Sequence, residues 1–167
     1  MPLIELHLRF QTTGSGLRGE GGETSLLQHL ERKQTMGVSN YRELKVWQCG
    51  IELSESIYRL TVEFPKHELY GLTSQMRRSV VSVPSNIAEG HSRESTKEYL
   101  HHLSFALGSL AELETQITIA ERLRYLPGDL AAAIVEKCDH IGRMLRNLQR
   151  SLRLRLRRKR SDNSGTS

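Results

Sequence analysis

The sequence predicts an all-α protein, namely an antiparallel, up-down-up-down four-helix bundle. Four segments repeat apolar residues at the steps of three and four that mark one face of a helix, and short turn sequences separate them. No segment shows the alternation of apolar and polar residues that predicts a strand. Only 5% of the residues are aromatic, so we expect a core of aliphatic side chains.

The first two helices are bounded by start and stop signals. Asn40 and Glu43 have the spacing of a capping box, which predicts that the first helix begins near Asn40. It is predicted to end before Pro65, because a residue that precedes proline avoids helical geometry. The second helix is predicted to start between residues 68 and 73 and to be kinked at Pro84, since proline removes one backbone hydrogen bond.

The third helix has the clearest start, because Ser95 and Glu98 form a full capping box. Its apolar residues then follow a heptad pattern as far as about Arg124. Pro127 marks a turn and is the expected first position of the fourth helix, which leads directly into an arginine-rich segment. Glycines inside the helices indicate close approach of a neighbouring helix; they are Gly50, Gly108 and Gly142.

The predicted bundle covers residues 37–156 and is flanked by segments of different composition. Residues 1–36 contain five glycines and no lasting apolar stripe, so we expect a disordered or non-native N-terminal extension, with Met36 as the natural start. Residues 157–167 are predicted to be a basic and polar disordered tail.

The expected compartment is the cytoplasm, with no membrane-spanning segment. Nowhere do about 18 apolar residues run together, and the first ten residues lack the unbroken apolar stretch of a signal peptide. The two cysteines, Cys49 and Cys138, lie far apart in the sequence, which favours free thiols in a reducing compartment over a disulfide framework.

Basic charge is concentrated near the C-terminus. The formal net charge is +5, and six positive charges lie between residues 153 and 160, so the rest of the chain is near neutral. We predict that this segment and two arginines of the second helix contact the phosphates of RNA or DNA. A solvated helix end and contact with an anionic membrane surface are the alternatives for the segment. The predicted nucleic-acid contacts are Arg77, Arg78, Arg153, Arg155, Arg157, Arg158, Lys159 and Arg160.

We predict no catalytic residue, metal site or cofactor, and therefore expect a protein that is not an enzyme. Glu98 and His101 have the Glu-x-x-His spacing of di-iron bundles, but such bundles carry two copies of it and this sequence has one. The remaining polar residues inside the helices are predicted to form hydrogen-bonded or ionic pairs between helices, an alternative that also applies to the two arginines of the second helix. These polar residues are Asn86, Glu89, Glu112 and Glu114.

Several motifs resemble those of a known bacterial family. The most specific is Asn-Ile-Ala-Glu-Gly at residues 86–90, which follows a proline inside a helix; the others are Val46-Trp47-Gln48, Glu68-Leu69-Tyr70-Gly71-Leu72-Thr73, Gln75-Met76-Arg77-Arg78 and Gly108-Ser109-Leu110-Ala111-Glu112-Leu113. Over about residues 41–151, the chain resembles the four-helix bundle proteins encoded in 23S rRNA intervening sequences. That family includes the accessory variability determinants of diversity-generating retroelements.

The resemblance implies a four-helix protomer that assembles as a ring-like homopentamer with a basic surface. In the retroelement branch, the implied partners are a reverse transcriptase and nucleic acid. Two functional hypotheses follow. The first is a non-enzymatic, oligomeric helical bundle that binds nucleic acid through basic residues. The second is a protein–protein adaptor or scaffold, for example for a reverse transcriptase, that does not contact nucleic acid directly.

Overall fold

A computed structural model describes residues 40–164 and, for side chains, residues 40–158. This part of the chain forms four α-helices and two short 3-10 turns, and it contains no strand. The predicted all-α, four-helix fold is confirmed. The predictions for residues 1–36, including the start at Met36, lie outside the described residues. The helices are α1 (Lys45–Leu60), α2 (Leu72–His91), α3 (Thr96–Arg122) and α4 (Gly128–Ser164), and the 3-10 turns are Tyr41–Glu43 and Lys66–Glu68.

The start of α1 differs from the prediction. Asn40 does act as a cap, because its Oδ1 accepts a hydrogen bond from the Arg42 backbone N–H at 3.0 Å, but it caps the first 3-10 turn. Leu44 then adopts an extended conformation, with φ −68° and ψ 119°, so the helix begins only at Lys45. The predicted helix start near Asn40 is therefore wrong, since a capping signal alone does not distinguish a 3-10 turn from an α-helix.

The starts of α2 and α3 follow the predicted signals. α2 begins at Leu72, inside the predicted window, and the Leu72 backbone N–H donates to Glu68 Oε2 at 2.8 Å. Ser95 caps α3, and its hydroxyl accepts from the Lys97 backbone N–H at 3.3 Å. Side chains thus satisfy backbone donors that the first turn of each helix leaves free.

The core lies between all four helices and is almost entirely aliphatic. Each helix contributes a stripe of side chains that are no more than 2% exposed, so the apolar spacing seen in the sequence corresponds to burial. Thr73 and Ser79 are among the few polar residues buried with them. The largest fully buried side chains are Leu53 and Ile57 of α1, Met76, Val80, Val83 and Ile87 of α2, Leu103, Leu113 and Ile117 of α3, and Cys138, Ile141 and Leu145 of α4.

Each helix packs against two others. α1 contacts α2 and α4, α2 contacts α3, and α3 contacts α4; among residues 40–164 the diagonal pairs make no close backbone contact. A Cβ placed on Gly50 of α1 would lie 3.3 Å from Pro84 Cβ of α2, so Gly50 permits the close approach expected of it. Pro84 itself is buried inside α2, and its kink stays a prediction.

The last helix is longer than the bundle requires. Gln149 of α4 lies level with the start of α3, because its Nε2 donates to Ser104 Oγ at 3.0 Å and to the Leu100 carbonyl at 3.4 Å. At the other end of the pair, a Cβ on Gly128 would lie 3.0 Å from Glu121 Oε1, so the two helices run past each other in opposite directions. The final two turns of α4 therefore extend beyond the first residue of α3.

The C-terminal segment is part of α4. α4 does not stop at residue 156, where the predicted bundle ends, and continues as helix to Ser164. Leu152 is 6% exposed and Leu156 is half-buried, so the apolar stripe of α4 continues into the arginine-rich segment. The division into bundle and tail stays a prediction. No helix within residues 40–164 combines the length and apolarity needed to cross a bilayer.

Two glycine-to-alanine substitutions should change stability in opposite directions. Gly108 in α3 has no atom within 4 Å of an added Cβ, so no described helix makes the close approach predicted there. Gly108→Ala should therefore raise the free energy of unfolding by about 1 kcal/mol through helix propensity. At Gly90 an added Cβ would lie 2.7 Å from both His102 Cβ and Tyr99 Cδ2, so Gly90→Ala should lower it. Urea unfolding of both variants measures the two free energies. A loss of stability in Gly108→Ala would contradict the prediction that the space around Gly108 can accept a Cβ.

The buried thiol of Cys138 should make stability depend on alkaline pH. Burial raises the pKa of Cys138 from 9.0 to about 12, so the folded protein favours the neutral thiol. This contribution is fully present below about pH 9, where the unfolded thiol is also neutral, and is lost as the pH rises toward 12. Between pH 8 and 11, the free energy of unfolding should fall more steeply in the native chain than in Cys138→Ala. Equal slopes would contradict the prediction.

Candidate nucleic-acid interface

Arg77 is used inside the bundle. Its Nε donates to Thr61 Oγ1 at 2.8 Å, and its guanidinium Cζ lies 4.8 Å from the centre of the Tyr58 ring. Both partners belong to the end of α1 and the turn after it, so this half-buried arginine joins α2 to α1. Only the remaining guanidinium nitrogens are left for a phosphate.

Arg78 is exposed, but it lies far from the C-terminal arginines. Ser79, which follows it, donates to Glu112 Oε2 of α3 at 3.3 Å, whereas Gln149 of α4 donates to the Leu100 carbonyl of α3. These two levels of α3 are twelve residues apart, which is about 18 Å along a helix. The structure therefore does not bring the predicted contacts on α2 together with those on α4.

Five arginines of α4 form one exposed row. Steps of three and four residues separate them, so at about 100° per residue they lie within about 80° of arc on one face. The row extends about 21 Å along the helix. The arginine row comprises Arg143, Arg146, Arg150, Arg153 and Arg157, all of them exposed.

The other predicted contacts of the C-terminal segment lie outside this row. Arg155 is half-buried and lies on the side of α4 that faces the bundle, where it has an interaction partner within the chain. Arg158 is exposed but is turned by about 100° from Arg157. Lys159 and Arg160 lie within α4, and their side chains are outside the described residues.

The charge of the arginine row is not neutralised by salt bridges. The ion pairs among the described side chains are Arg59–Glu55, His67–Glu68, Arg93–Glu89 and His102–Glu89, and all of them lie on other elements. The Glu114 carboxylate does lie within electrostatic reach of Arg146. Burial and the Asp139 carboxylate raise the pKa of Glu114 on α3, whereas Arg146 lowers it.

A polar seam runs between α2 and α3, along the side of α3 that faces away from α4. Ser109 Oγ donates to Ser82 Oγ at 3.0 Å, and Gln116 Nε2 donates to Ser79 Oγ at 3.1 Å. His102 Nδ1 lies 3.4 Å from Asn86 Oδ1. These contacts link side chains of facing helices, and only one register of α2 against α3 allows all of them.

The Glu98 and His101 pair keeps the spacing of the metal motif but joins no cluster of ligands in the described residues. Within the part of the chain that the structure describes, no three His, Cys, Asp or Glu side chains lie close enough together to hold one ion. Glu98 and His101, which have the metal-motif spacing, are both exposed near the start of α3. His101 instead packs on Phe105, with ring centres 4.3 Å apart.

The row extends further along α4 than the sequence analysis predicted. Only Arg153 and Arg157 were among the predicted contacts, because the prediction followed the dense basic charge of residues 153–160 and not the helical period of the preceding turns. The missed residues have a signal in the sequence: they continue the steps of three and four on the side opposite the apolar stripe. They are Arg143, Arg146 and Arg150.

Comparison with known proteins places the fold in a family. The family model described as "23S rRNA-intervening sequence protein" matches residues 42–147. No curated protein matches the chain. A solved structure from Bacteroides thetaiotaomicron, described as a protein of unknown function from the S23 ribosomal protein family, is 21% identical with a TM-score of 0.57. The similarity covers 62% of this chain and 97% of that one, and it supports the fold. Because the family model matches more than half of the sequence, this chain belongs to the 23S rRNA-intervening sequence protein family.

Proposed function

We propose that this protein is a non-catalytic helical bundle that binds nucleic acid, and that the arginine row of α4 contacts the phosphate backbone. The observation that carries the proposal is the exposure of five arginines on one face of one helix, with no carboxylate of residues 40–158 bridged to them. Guanidinium groups form charge-assisted hydrogen bonds with phosphate oxygens, often through two nitrogens at once.

The row suits contacts that do not depend on base sequence. Contacts to phosphates fix the position of a protein on nucleic acid but carry no direct sequence information. If all five arginines met phosphates of a DNA duplex, the released counterions would give a salt slope of about −4.5. Two members of the row, Arg143 and Arg146, fall within the region that the family model matches, and the other three lie beyond it.

Substitution within the row should weaken binding and reduce its salt dependence. In Arg143→Gln/Arg150→Gln/Arg153→Gln, glutamine keeps the helix propensity of arginine and removes three charges. At about 0.9 per phosphate contact, the slope on duplex DNA should fall by about 2.7. Fluorescence anisotropy with labelled DNA, measured over a range of NaCl concentrations, tests this.

A matched control removes the same charge from other exposed positions, namely Lys45→Gln/Lys66→Gln/Arg122→Gln. The control should keep the native slope within about 1, because only the row is proposed to contact phosphates. Substitution tests the charges more specifically than deletion of residues 151–160 does, since deletion would also remove the buried side chain of Leu152, which is 6% exposed. Equal losses in both variants, or salt-independent binding by the native chain, would refute the proposal.

The second candidate is a protein–protein scaffold, and one surface favours it. Ile51 and Tyr58 of α1 are 43% and 45% exposed, and Val81 of α2 is 40% exposed. Arg77 stacks on Tyr58 and lies one turn before Val81, so these apolar side chains border one outer surface of α1 and α2. We propose a second copy of the chain as the occupant of this surface, in line with the homopentamer that the family resemblance implies. A reverse transcriptase is the further partner of this hypothesis.

Light scattering on the purified chain tests the scaffold. The native chain should have a mass near five times 19.0 kDa, and Ile51→Gln/Val81→Gln should shift it toward the mass of one chain. A control, Ile119→Gln/Leu123→Gln, changes apolar side chains that are 43% and 50% exposed near the end of α3, and should leave the mass unchanged. A native chain of 19.0 kDa in solution would contradict this candidate.

A further inference from the structure

We propose that the ligand of the arginine row is a double-stranded nucleic acid, bound through its phosphates, and not a single strand. The inference rests on the proposed nucleic-acid function and names the class of ligand for that site. It depends on three features of α4: the absence of stacking side chains, the spacing of its charges, and its extension beyond the bundle.

The surface around the row offers no platform for unpaired bases. Proteins that hold single strands combine a basic groove with aromatic side chains on which successive bases stack. α4 contains no Phe, Tyr or Trp along its whole length, Gly128–Ser164. The exposed apolar side chain nearest the row is Leu154, at 51% exposure, and an aliphatic side chain cannot stack on a base as an aromatic ring does.

The exposed aromatic residues of the described chain lie elsewhere. Tyr58 belongs to α1, and Tyr70 to the turn before α2. Phe105 of α3 packs against His102, with ring centres 5.9 Å apart, and His102 in turn contacts Asn86 of α2. Phe105 therefore lies on the side of α3 that faces α2, across that helix from the arginine row.

Without stacking, affinity depends on charge density, and a duplex presents the higher density. Duplex DNA carries one phosphate charge per about 1.7 Å of its axis, so a duplex segment as long as the row, about 21 Å, carries about 12 charges. A single strand offers fewer charges over the same length, and each contact contributes less to the salt slope, about 0.7 against 0.9. An uninterrupted helix also holds its arginines at fixed separations, which match a stiff ligand better than a flexible one.

The extension of α4 continues past Arg157, the last arginine of the row, and leaves this part of the helix free to enter a groove of a duplex. Gln149 is level with Leu100 and Ser104, so the helix beyond residue 157 passes the first residue of α3 and has no neighbour from that helix. The major groove of B-form DNA admits a single α-helix, whereas the major groove of A-form RNA is deep and narrow. Duplex RNA would meet the row through its backbone and the rims of its grooves.

Anisotropy titration of the full chain with four labelled probes tests the inference: a DNA duplex and an RNA duplex of about 20 base pairs, and the corresponding single strands, chosen without self-complementarity. At about 100 mM NaCl, each duplex should bind about tenfold tighter than its single strand. The triple variant Arg143→Gln/Arg150→Gln/Arg153→Gln should lose most of this difference. Phe105→Ala should bind all four probes as the native chain does.

The outcomes separate the inference from the function on which it rests. Single strands that bind as tightly as duplexes, or weakened binding in Phe105→Ala, would overturn the duplex assignment and leave the proposed function in place. Failure of all four probes to bind at low salt would overturn both.

Discussion

The structure depends on one constraint: the apolar stripes of all four helices must meet in a single water-excluding centre. For α4 this fixes which side faces inward, because Ile134, Cys138, Ile141 and Leu145 occupy one stripe and are at most 4% exposed. The arginine row lies on the opposite side because the same helical period that gathers the aliphatic residues also gathers the arginines. The proposed binding face is thus determined by the core.

Hydrogen bonds add specificity to this packing. The aliphatic stripes of α2 and α3 would tolerate a sliding of one helix against the other, since dispersion contacts have little directional preference. The polar seam does not, because the hydroxyls of Ser82 and Ser109 must lie opposite each other, as must Asn86 and His102. Each such bond contributes only about 1 kcal/mol to stability, so its main effect is to fix the register.

The sequence predicted the helices better than the site, for physical reasons. Burial repeats with the helical period, so the existence of all four helices and the cap at Ser95 could be read from residue types alone. The start of α1 could not be predicted, because Asn40 can cap a 3-10 turn as well as an α-helix. The extended conformation of Leu44, which separates the turn from α1, has no signal in the residue types. Pairing of Arg77 between helices could be proposed as an alternative from the sequence, but its partner could not, since the contact with Thr61 joins residues sixteen positions apart on different elements.

The continuity of α4 has a consequence for how its length can vary. Because core stripe and arginine row share one uninterrupted helix, their relative orientation depends on residue count alone. Inserting one residue between Leu145 and Leu152 would rotate everything beyond it by about 100°, turning Leu152 out of the core and moving the later arginines away from the earlier ones. An insertion of seven residues would almost restore the angle. Natural length changes in this helix should therefore come in whole heptads. The loops that join the helices can change length by any number of residues without rotating the core stripe against the arginine row.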